Sequence, residues 1–321
     1  MSVRLKRILS HNFFLGRKEG IIKTEIDVKN KEAGLSVNVV KNKVERQPMK
    51  ELRKDLQEKL DRLKRIISEY EKPCIAFSGG VDSSFLLKVA AEVKGESLLA
   101  IIATGGMLPK SEYDEAILLA RAAGAKLHTL KIDVFSEPSF VENGSRRCYF
   151  CKKNIFTQIK GEAQEYECDA ILDGSNLDDL KDYRPGLSAL EEMMIVSPMI
   201  EAGLTKQDIR ELSDWYGLPT AQKPAMACLA TRIPVGEEIT RKKLLMVEQG
   251  EVSLKILGLK QYRLRYMNGI AKIECLPEDF QKVLNARESL TANLKMLGFE
   301  TITLDLEGYG CGKMNGDHYE Q

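Results

Sequence analysis

The chain has 321 residues, and its 48 lysines and arginines nearly balance its 47 aspartates and glutamates. This balance argues against a surface built throughout for nucleic acid. No apolar run is long enough to cross a bilayer, and no signal-peptide pattern is present. We therefore expect a cytoplasmic protein whose seven cysteines are thiols or metal ligands rather than disulfides.

The first fifty residues carry more basic than acidic side chains. Weak alternation over residues 22–28 and 35–44 is compatible with a small hairpin, and a loosely held extension is the alternative. We treat residues 1–50 as an N-terminal extension of unclear structure.

The next part of the chain alternates between helical and strand patterns. Apolar residues from Leu52 onward recur at helical spacing and predict a helix over 52–70. Strands are then predicted over 73–77, 98–103, 126–132 and 169–173, and helices over 83–94, 111–123 (with Ser111 as N-cap) and 152–165. Short apolar strands separated by helices predict an α/β fold with a parallel sheet covered on both faces.

A further helix start is predicted at Thr205, where Thr205 caps and Asp208 completes a capping box. Gly217 and Pro219 end that helix. After residue 240 the pattern changes to helix 240–257, strands 261–267 and 270–275, helix 277–297 and strand 299–305. We therefore predict a domain over 51–239 and a smaller α+β domain for substrate binding or oligomerisation over 240–321.

The most informative segment runs from a buried-looking strand into a helix through a loop rich in serine and glycine. The predicted phosphate contacts are Ser78, Gly79, Gly80, Val81, Asp82 and Ser83. The glycines allow close approach of an anion, and the N–H groups of the helix N-terminus point at it. Asp82 beside a phosphate suggests an intervening Mg²⁺. The loop has no Walker A lysine and no Gly-x-Gly-x-x-Gly, which excludes P-loop NTPase and Rossmann sites.

A second polar loop follows the strand predicted over 169–173. Gly174 permits a tight turn there, and Asn176 and Asp178 are candidate ligands for Mg²⁺ or ribose hydroxyls at the carboxyl edge of the sheet. The alternative is an Asx-rich turn that caps a helix.

Three cysteines form the third candidate site. Cys148 and Cys151 have C-x-x-C spacing on a predicted short loop, a pattern shared by redox, zinc and iron sites. Cys228 lies in a separate motif. Three thiolates on a cubane cluster would leave one iron open. We expect Cys74, Cys168 and Cys275 to be small core or surface residues.

The loop sequence SGGVDSS (78–84) resembles the signature of the PP-loop ATP pyrophosphatases. The chain further resembles the LarE family of ATP-dependent sulfur transferases within that superfamily. That resemblance rests on RCYFCK (147–152), GSNLDDLKDYRPG (174–186), SPMIEAGLTKQDIR (197–210), KPAMACLATRIP (223–234), YRLRY (262–266) and DLEGYGCGKMN (305–315).

The resemblance implies a PP-loop domain of the adenine nucleotide α-hydrolase type with a smaller α+β domain. It also implies an enzyme that uses ATP and Mg²⁺ and releases AMP and pyrophosphate. ATP would adenylate a carboxylate of pyridinium-3,5-dicarboxylate mononucleotide, and sulfur would then displace AMP. A second round would give the bis-thiocarboxylate precursor of the nickel-pincer nucleotide cofactor. Asp82 would act at the adenylation step.

The resemblance assigns Cys228 to the family cysteine that attacks the acyl-adenylate. Single-cysteine members surrender its sulfur and act once. This chain resembles the subgroup in which Cys148, Cys151 and Cys228 hold a 4Fe–4S cluster with an additional sulfide, reloaded by a sulfide donor. A zinc clip or three unrelated thiols are the alternatives.

By the same resemblance, Arg263, Arg265 and Glu251 would bind the substrate nucleotide. Arg184 and Arg232 lie beside site motifs and are further anion-ligand candidates. The plainer alternative for the strand arginines and Glu251 is a solvated strand edge and a helix surface charge. The chain departs from the family where Gly310 and Cys311 replace a common Arg-Ser pair, which removes a phosphate-binding arginine.

Three other functions remain open at this stage. A tRNA thiolase would need an RNA-binding surface, for which the basic N-terminus is the sole candidate. A non-enzymatic ATP-sensing or cluster-carrying module and an amidating PP-loop enzyme are the others. No membrane or nucleic-acid partner is expected, and the family resemblance suggests a homo-oligomer of six chains.

Overall fold

The computed structural model describes residues 51–105, 108–181, 185–224 and 228–310, together with the backbone of three strands between residues 11 and 41. The strands are β1 (His11–Phe14), β2 (Ile21–Lys31), β3 (Gly34–Lys41), β4 (Pro73–Ala76), β5 (Leu99–Thr104), β6 (Lys126–Lys131), β7 (Ala170–Leu172), β8 (Tyr262–Met267), β9 (Ile270–Cys275) and β10 (Thr301–Leu304). The helices are α1 (Lys54–Ser68), α2 (Val81–Lys94), α3 (Lys110–Ala122), α4 (Pro138–Val141), α5 (Arg147–Glu165), α6 (Pro185–Glu192), α7 (Pro198–Glu201), α8 (Lys206–Trp215), α9 (Arg241–Ile256), α10 (Phe280–Asn285) and α11 (Arg287–Met296).

Four parallel strands form the central sheet, in the order β6-β5-β4-β7. Successive residues of β4 enter different cores, because side chains alternate across a strand. Ile75 packs in the core that contains α1, α2 and α8, whereas Cys74 packs in the core that contains α5 and α6. The prediction of a parallel sheet covered on both faces is therefore confirmed.

A separate sheet of three strands has the order β10-β9-β8, with β8 and β9 antiparallel and β9 and β10 parallel. Its apolar face packs on α9 and α11 through residues such as Leu264, Leu254 and Leu294. The packing against α9 is close, since a Cβ built on Gly250 would lie 2.1 Å from a methyl carbon of Leu264. The two sheets confirm the predicted fold class, a parallel α/β sheet with a smaller α+β unit.

The N-terminal segment contains a hairpin of β2 and β3, and β1 adds to β2; both pairings are antiparallel. The hairpin suggested by residues 22–28 and 35–44 is thus confirmed at the backbone. Residues 42–44 lie outside the described residues.

The predicted N-cap Ser111 is wrong. The helix begins one residue earlier, at Lys110, with Pro109 as the N-cap residue. The backbone N–H of Lys110 donates to the Glu248 carboxylate on α9 at 2.7 Å. A side chain distant in sequence therefore satisfies the helix start, and local sequence carries no sign of it.

Two other helix predictions also need correction. The helix predicted over 152–165 begins at Arg147, so Cys148 and Cys151 lie in its first turns and not on a loop. The helix predicted over 277–297 is a 3₁₀ turn followed by α10 and α11, which are separated at Ala286 (φ −94°, ψ 6°).

The predicted capping box at α8 is confirmed. The Thr205 hydroxyl accepts from the Asp208 N–H at 3.2 Å, and the Asp208 carboxylate accepts from the Thr205 N–H at 3.0 Å. Gly217, at φ +67°, follows the helix end. Among the helices of the described residues, none has the length and hydropathy that a membrane span requires.

Candidate functional site

The phosphate loop lies between β4 and α2 and has the geometry of an anion cradle. Gly79 has φ +74°, a conformation that favours glycine. The hydroxyls of Ser78 and Ser83 lie 3.1 Å apart across the loop. Gly80 is the N-cap residue of α2, so Val81, Asp82 and Ser83 form the first helical turn, whose N–H groups have no partner within the helix.

The second polar loop contacts the phosphate loop directly. A Cβ built on Gly174 would lie 3.1 Å from the backbone nitrogen of Ser83, so a side chain there would press on the start of α2. Asn176 is buried, and its side-chain oxygen accepts from the Asp178 N–H at 3.0 Å. The two loops predicted to bind one ligand therefore meet at the carboxyl edge of the sheet, as the topology requires.

Lys206 joins these two loops, and the sequence reasoning assigned it no role. Its ammonium donates to one oxygen of Asp82 at 2.5 Å, and its backbone N–H donates to Asp178 at 2.8 Å. The other oxygen of Asp82 is buried and accepts no hydrogen bond within the described part of the chain. Lys181 and then the Lys206 N–H lower the pKa of Asp178. The sequence feature that could have identified Lys206 is its position as the first residue of α8, directly after the N-cap Thr205. The start of that helix contacts both loops of the site.

Lys223 is a second basic residue without an assigned role, and it touches the phosphate loop from the other side. Its ammonium lies 2.6 Å from Glu112 and 2.9 Å from Glu115, both on α3, and 3.4 Å from the carbonyl oxygen of Gly79. The side chain is largely buried. Lys223 begins the motif that contains Cys228, so one residue connects the nucleotide loop to the cysteine segment.

The three predicted cluster cysteines are close enough to influence one another. Burial, and then the neighbouring thiols of Cys228 and Cys148, together raise the pKa of Cys151 to about 12. Cys228 is exposed as a residue, but its thiol lies among protein atoms. This burial raises the pKa of the thiol, against the lowering effects of the Ala230 N–H and Arg147. Within the described residues, no three histidine, cysteine or acidic side chains already converge as metal ligands.

Four of the predicted substrate residues form one cluster. Arg232 is buried and makes two bonds to the Glu251 carboxylate, at 2.9 and 3.0 Å. Arg265 makes two bonds to Glu274, at 3.0 and 2.9 Å. Burial lowers the pKa of Arg263, as do the positive charges of Arg232 and Arg265. The buried ion pairs contradict the alternative of a solvated strand edge for Arg265 and of a surface charge for Glu251.

Arg263 is differently placed within this cluster. Its guanidinium lies 5.3 Å from the ring centroid of Tyr309 and donates to the Tyr262 carbonyl at 2.7 Å. Glu274 was missed by the sequence reasoning, although its cross-strand register opposite Arg263 would have indicated it. Arg184 and Cys311 lie outside the described residues.

The arginine cluster adjoins the nucleotide side of the site. Burial, then the charge of Glu251 and, more weakly, that of Glu112, raise the pKa of Tyr262. Glu112 is the ion-pair partner of Lys223. A chain of near neighbours therefore leads from the phosphate loop through α3 to β8. This arrangement can hold a nucleoside triphosphate at the phosphate loop and a second anion at the arginine cluster. The thiol of Cys228 lies on a turn next to that cluster.

Comparison with known proteins supports this description. No family model matches the chain. It is 32% identical over 250 residues to the pyridinium-3,5-bisthiocarboxylic acid mononucleotide synthase of Lactiplantibacillus plantarum. The aligned region covers 78% of this chain and 91% of that protein. An uncharacterised protein of Synechocystis sp. is 37% identical over 262 residues, 81% of this chain and 98% of that protein. An uncharacterised protein of Methanocaldococcus jannaschii is 33% identical over 254 residues, 78% of this chain and 97% of that protein.

Proposed function

The chain belongs to the LarE family of PP-loop proteins, and from this premise we propose that it is an ATP-dependent sulfurtransferase acting on pyridinium-3,5-dicarboxylate mononucleotide. Its product would be the bis-thiocarboxylate precursor of the nickel-pincer nucleotide cofactor. The observation that carries the proposal is the 32% identity to the Lactiplantibacillus plantarum synthase across 91% of that protein. The geometry of the site supports it in three places.

ATP binding is assigned to the phosphate loop and the second polar loop. The free N–H groups at the start of α2 and the hydroxyls of Ser78 and Ser83 offer donors to phosphate oxygens. Asp82 fits a Mg²⁺ ligand because one of its oxygens is buried without a partner among the described residues. Lys206 holds the other oxygen and adds positive charge where pyrophosphate would leave.

Substrate binding is assigned to the cluster around Arg263. Arg232 and Arg265 are each bound to a buried carboxylate, whereas the guanidinium of Arg263 lies over a tyrosine ring. Arg263 is the arginine we assign to the substrate phosphate, because it corresponds to a family arginine near the nucleotide phosphate; Glu251 and Glu274 hold its two neighbours in place. An arginine suits this task because its planar group binds phosphate oxygens in pairs.

Sulfur delivery is assigned to Cys228, with Cys148 and Cys151. Three neighbouring thiols fit the donor set of a 4Fe–4S cluster with one open iron. Such a cluster, when bound, would supply a sulfide that the protein can use repeatedly. Within the described residues the three thiols do not already converge as metal ligands, so cluster binding would require them to move closer together.

The two chemical steps balance without a redox change. A substrate carboxylate oxygen attacks the α-phosphorus of ATP, the bond to the bridging oxygen breaks, and pyrophosphate leaves. Sulfide then attacks the activated carbonyl carbon and forms the C–S bond of the thiocarboxylate, and AMP leaves with the electron pair of the broken C–O bond. The site residues bind and orient both substrates, which converts encounters in solution into a reaction within one complex.

The test is mass spectrometry of the small-molecule product. Anaerobically reconstituted protein is incubated with ATP, Mg²⁺, sulfide and excess pyridinium-3,5-dicarboxylate mononucleotide. Cys228→Ala and Cys148→Ala are compared with wild type, and Cys168→Ala is the matched control, because Cys168 packs against β4 in another core. We expect more thiocarboxylate than protein from wild type and the control, and none from Cys228→Ala.

Other results would point elsewhere. At most one sulfur per chain, with a polypeptide lighter by the mass of hydrogen sulfide, would mean that Cys228 is sacrificed. Multiple turnovers by Cys148→Ala would refute the cluster. No thiolated nucleotide at all, from protein with a loaded cluster, would refute the substrate and favour thiolation of RNA.

A further inference from the structure

The turn that carries Cys228, residues 228–232, is held by arginines from three elements. The carbonyl oxygen of Cys228 accepts from Arg232 at 3.1 Å, and that of Thr231 accepts from Arg265 on β8 at 2.9 Å. The carbonyl oxygen of Ala230, between them, accepts from Arg147 at 3.2 Å. Two of these arginines tie the Cys228 turn to the C-terminal sheet and α9, whereas Arg147 ties it to the first residue of α5.

Arg147 is held in turn by a buried asparagine. The guanidinium nitrogen that reaches Ala230 also donates to the side-chain oxygen of Asn143. Asn143 is fully buried and has φ +57°, a left-handed conformation that asparagine tolerates better than most residues. A strained, fully buried polar residue persists where its surroundings determine its conformation.

Asn143 itself is bonded to the segment that follows the Cys228 turn. Its side-chain amide donates to the carbonyls of Pro234 at 2.6 Å and Glu237 at 2.8 Å, and its own carbonyl accepts from the Gly236 N–H at 2.9 Å. The segment before α5 is therefore attached to the segment after Cys228 at several points. Cys148 follows Arg147 directly in α5 and Cys151 lies about one turn later, so this attachment links the helix of both cysteines to the segment that carries Cys228.

We propose that Arg147, anchored by Asn143, is a positioning residue that sets the spacing between the Cys148–Cys151 pair and Cys228. The role assigned to that spacing, in holding one cluster, rests on the proposed function. The spacing itself does not rest on it, because it follows from hydrogen bonds that the protein makes without any ligand.

The test measures thiol-to-thiol distance in cluster-free protein with dibromobimane, a short reagent that joins two thiols. The products are mapped by proteolysis and mass spectrometry. The yield of links from Cys228 to either Cys148 or Cys151 is divided by the yield of the link between Cys148 and Cys151. That second link lies within α5 and serves as an internal standard, which a general loss of stability would not change selectively.

Arg147→Ala is expected to lower this ratio by roughly tenfold, because a small displacement of reacting groups greatly reduces their effective concentration. Arg147→Lys keeps the charge but lacks the planar guanidinium that places one nitrogen against both Asn143 and Ala230, so we expect a similar loss. Arg146→Ala is the matched control. Arg146 is adjacent and equally charged, and its guanidinium lies over the rings of Tyr149 and Phe150.

A ratio unchanged in Arg147→Ala would overturn the proposal, as would an equal loss in Arg146→Ala. A wild-type ratio in Arg147→Lys would mean that charge alone acts, and would also overturn it. Iron bound per chain after reconstitution is measured in parallel and should fall only in the Arg147 variants. If wild type makes no thiocarboxylate but the ratio falls as expected, the proposed function fails and the positioning role stands.

Discussion

The two glycines of the phosphate loop should respond differently to the addition of one methyl group. A Cβ on Gly79 would lie 2.6 Å from the Ala116 Cβ and 3.2 Å from its Cα, and the residue has φ +74°. A Cβ on Gly80 would meet nothing closer than the Ser78 hydroxyl at 3.6 Å, with φ at −74°. Gly79 is therefore required by the fold, whereas Gly80 leaves open the space we assign to phosphate.

The expected magnitudes follow from these contacts. A left-handed conformation costs alanine roughly 1–2 kcal/mol, and overpacking typically costs about 1–3 kcal/mol, so Gly79→Ala should lower the free energy of unfolding by about 2–5 kcal/mol. Gly80→Ala should lower it by less than about 1 kcal/mol, the usual size of an N-cap effect. Its methyl should instead weaken ATP binding about tenfold, which corresponds to about 1.4 kcal/mol.

Urea denaturation would measure stability, and titration calorimetry with a non-hydrolysable ATP analogue and Mg²⁺ would measure binding. Gly161→Ala is the control. Gly161 is exposed within α5 and has no neighbour within 4 Å of a built Cβ, so alanine there should raise stability by roughly 0.5–1 kcal/mol. The reasoning is refuted if Gly79→Ala unfolds at the wild-type urea concentration, or if Gly80→Ala binds the analogue as tightly as wild type.

Three further substitutions test other contacts of the site. Lys206→Met should weaken binding of the ATP analogue by about 1.5–3 kcal/mol, roughly tenfold or more, whereas Lys181→Met, at an exposed ion pair, should change it less than about twofold. Glu274→Gln should lower the free energy of unfolding by about 3–5 kcal/mol in the urea assay, because it leaves the buried Arg265 without its negative partner. Its control, Asp114→Asn, removes an exposed ion pair and should change the free energy of unfolding by about 0.5 kcal/mol or less. Burial would raise the pKa of Asp208, but its lysine partner and its N-cap hydrogen bonds lower it below the ordinary 3.8. The stabilisation by ionised Asp208 is therefore present above pH 3.8 and lost as the pH falls through the pKa of the folded state. The free energy of unfolding of Asp208→Asn should fall less steeply with decreasing pH than that of wild type. The same dependence on pH in both proteins would contradict this.

Strands β4, β5 and β7 of the central sheet were predictable because they are short apolar runs separated by amphipathic or buried helices. Residues such as Ile75 and Leu86 are apolar and lie buried in the core. The spacing of apolar residues along the sequence therefore indicates which positions are buried. The capping box at Thr205 was predictable for a similar reason, since its two partners are three residues apart. The order of the strands in the sheet was not predicted, since it depends on contacts between distant segments.

The wrong N-cap of α3 and the omissions in the site have one physical source. Pro109 replaces Ser111 as N-cap because Glu248, far away in the chain, accepts from the helix start. In the site, the residues of each motif were recognisable, but their partners were not. Lys206, Lys223 and Glu274 act through side-chain pairs that form only when the chain has folded, and a single sequence does not list such pairs.

The ion pairs around the Cys228 turn bear on how the molecule comes apart. A boundary between residues 239 and 240 would place Arg232 and Thr231 on one side and their partners, Glu251 and Arg265, on the other. Unfolding the C-terminal unit alone, α9 included, would leave the buried Arg232 guanidinium of the larger unit without the Glu251 carboxylate, which is energetically costly. The two units should therefore melt together in a single calorimetric transition, as one cooperative body in spite of having two separate sheets.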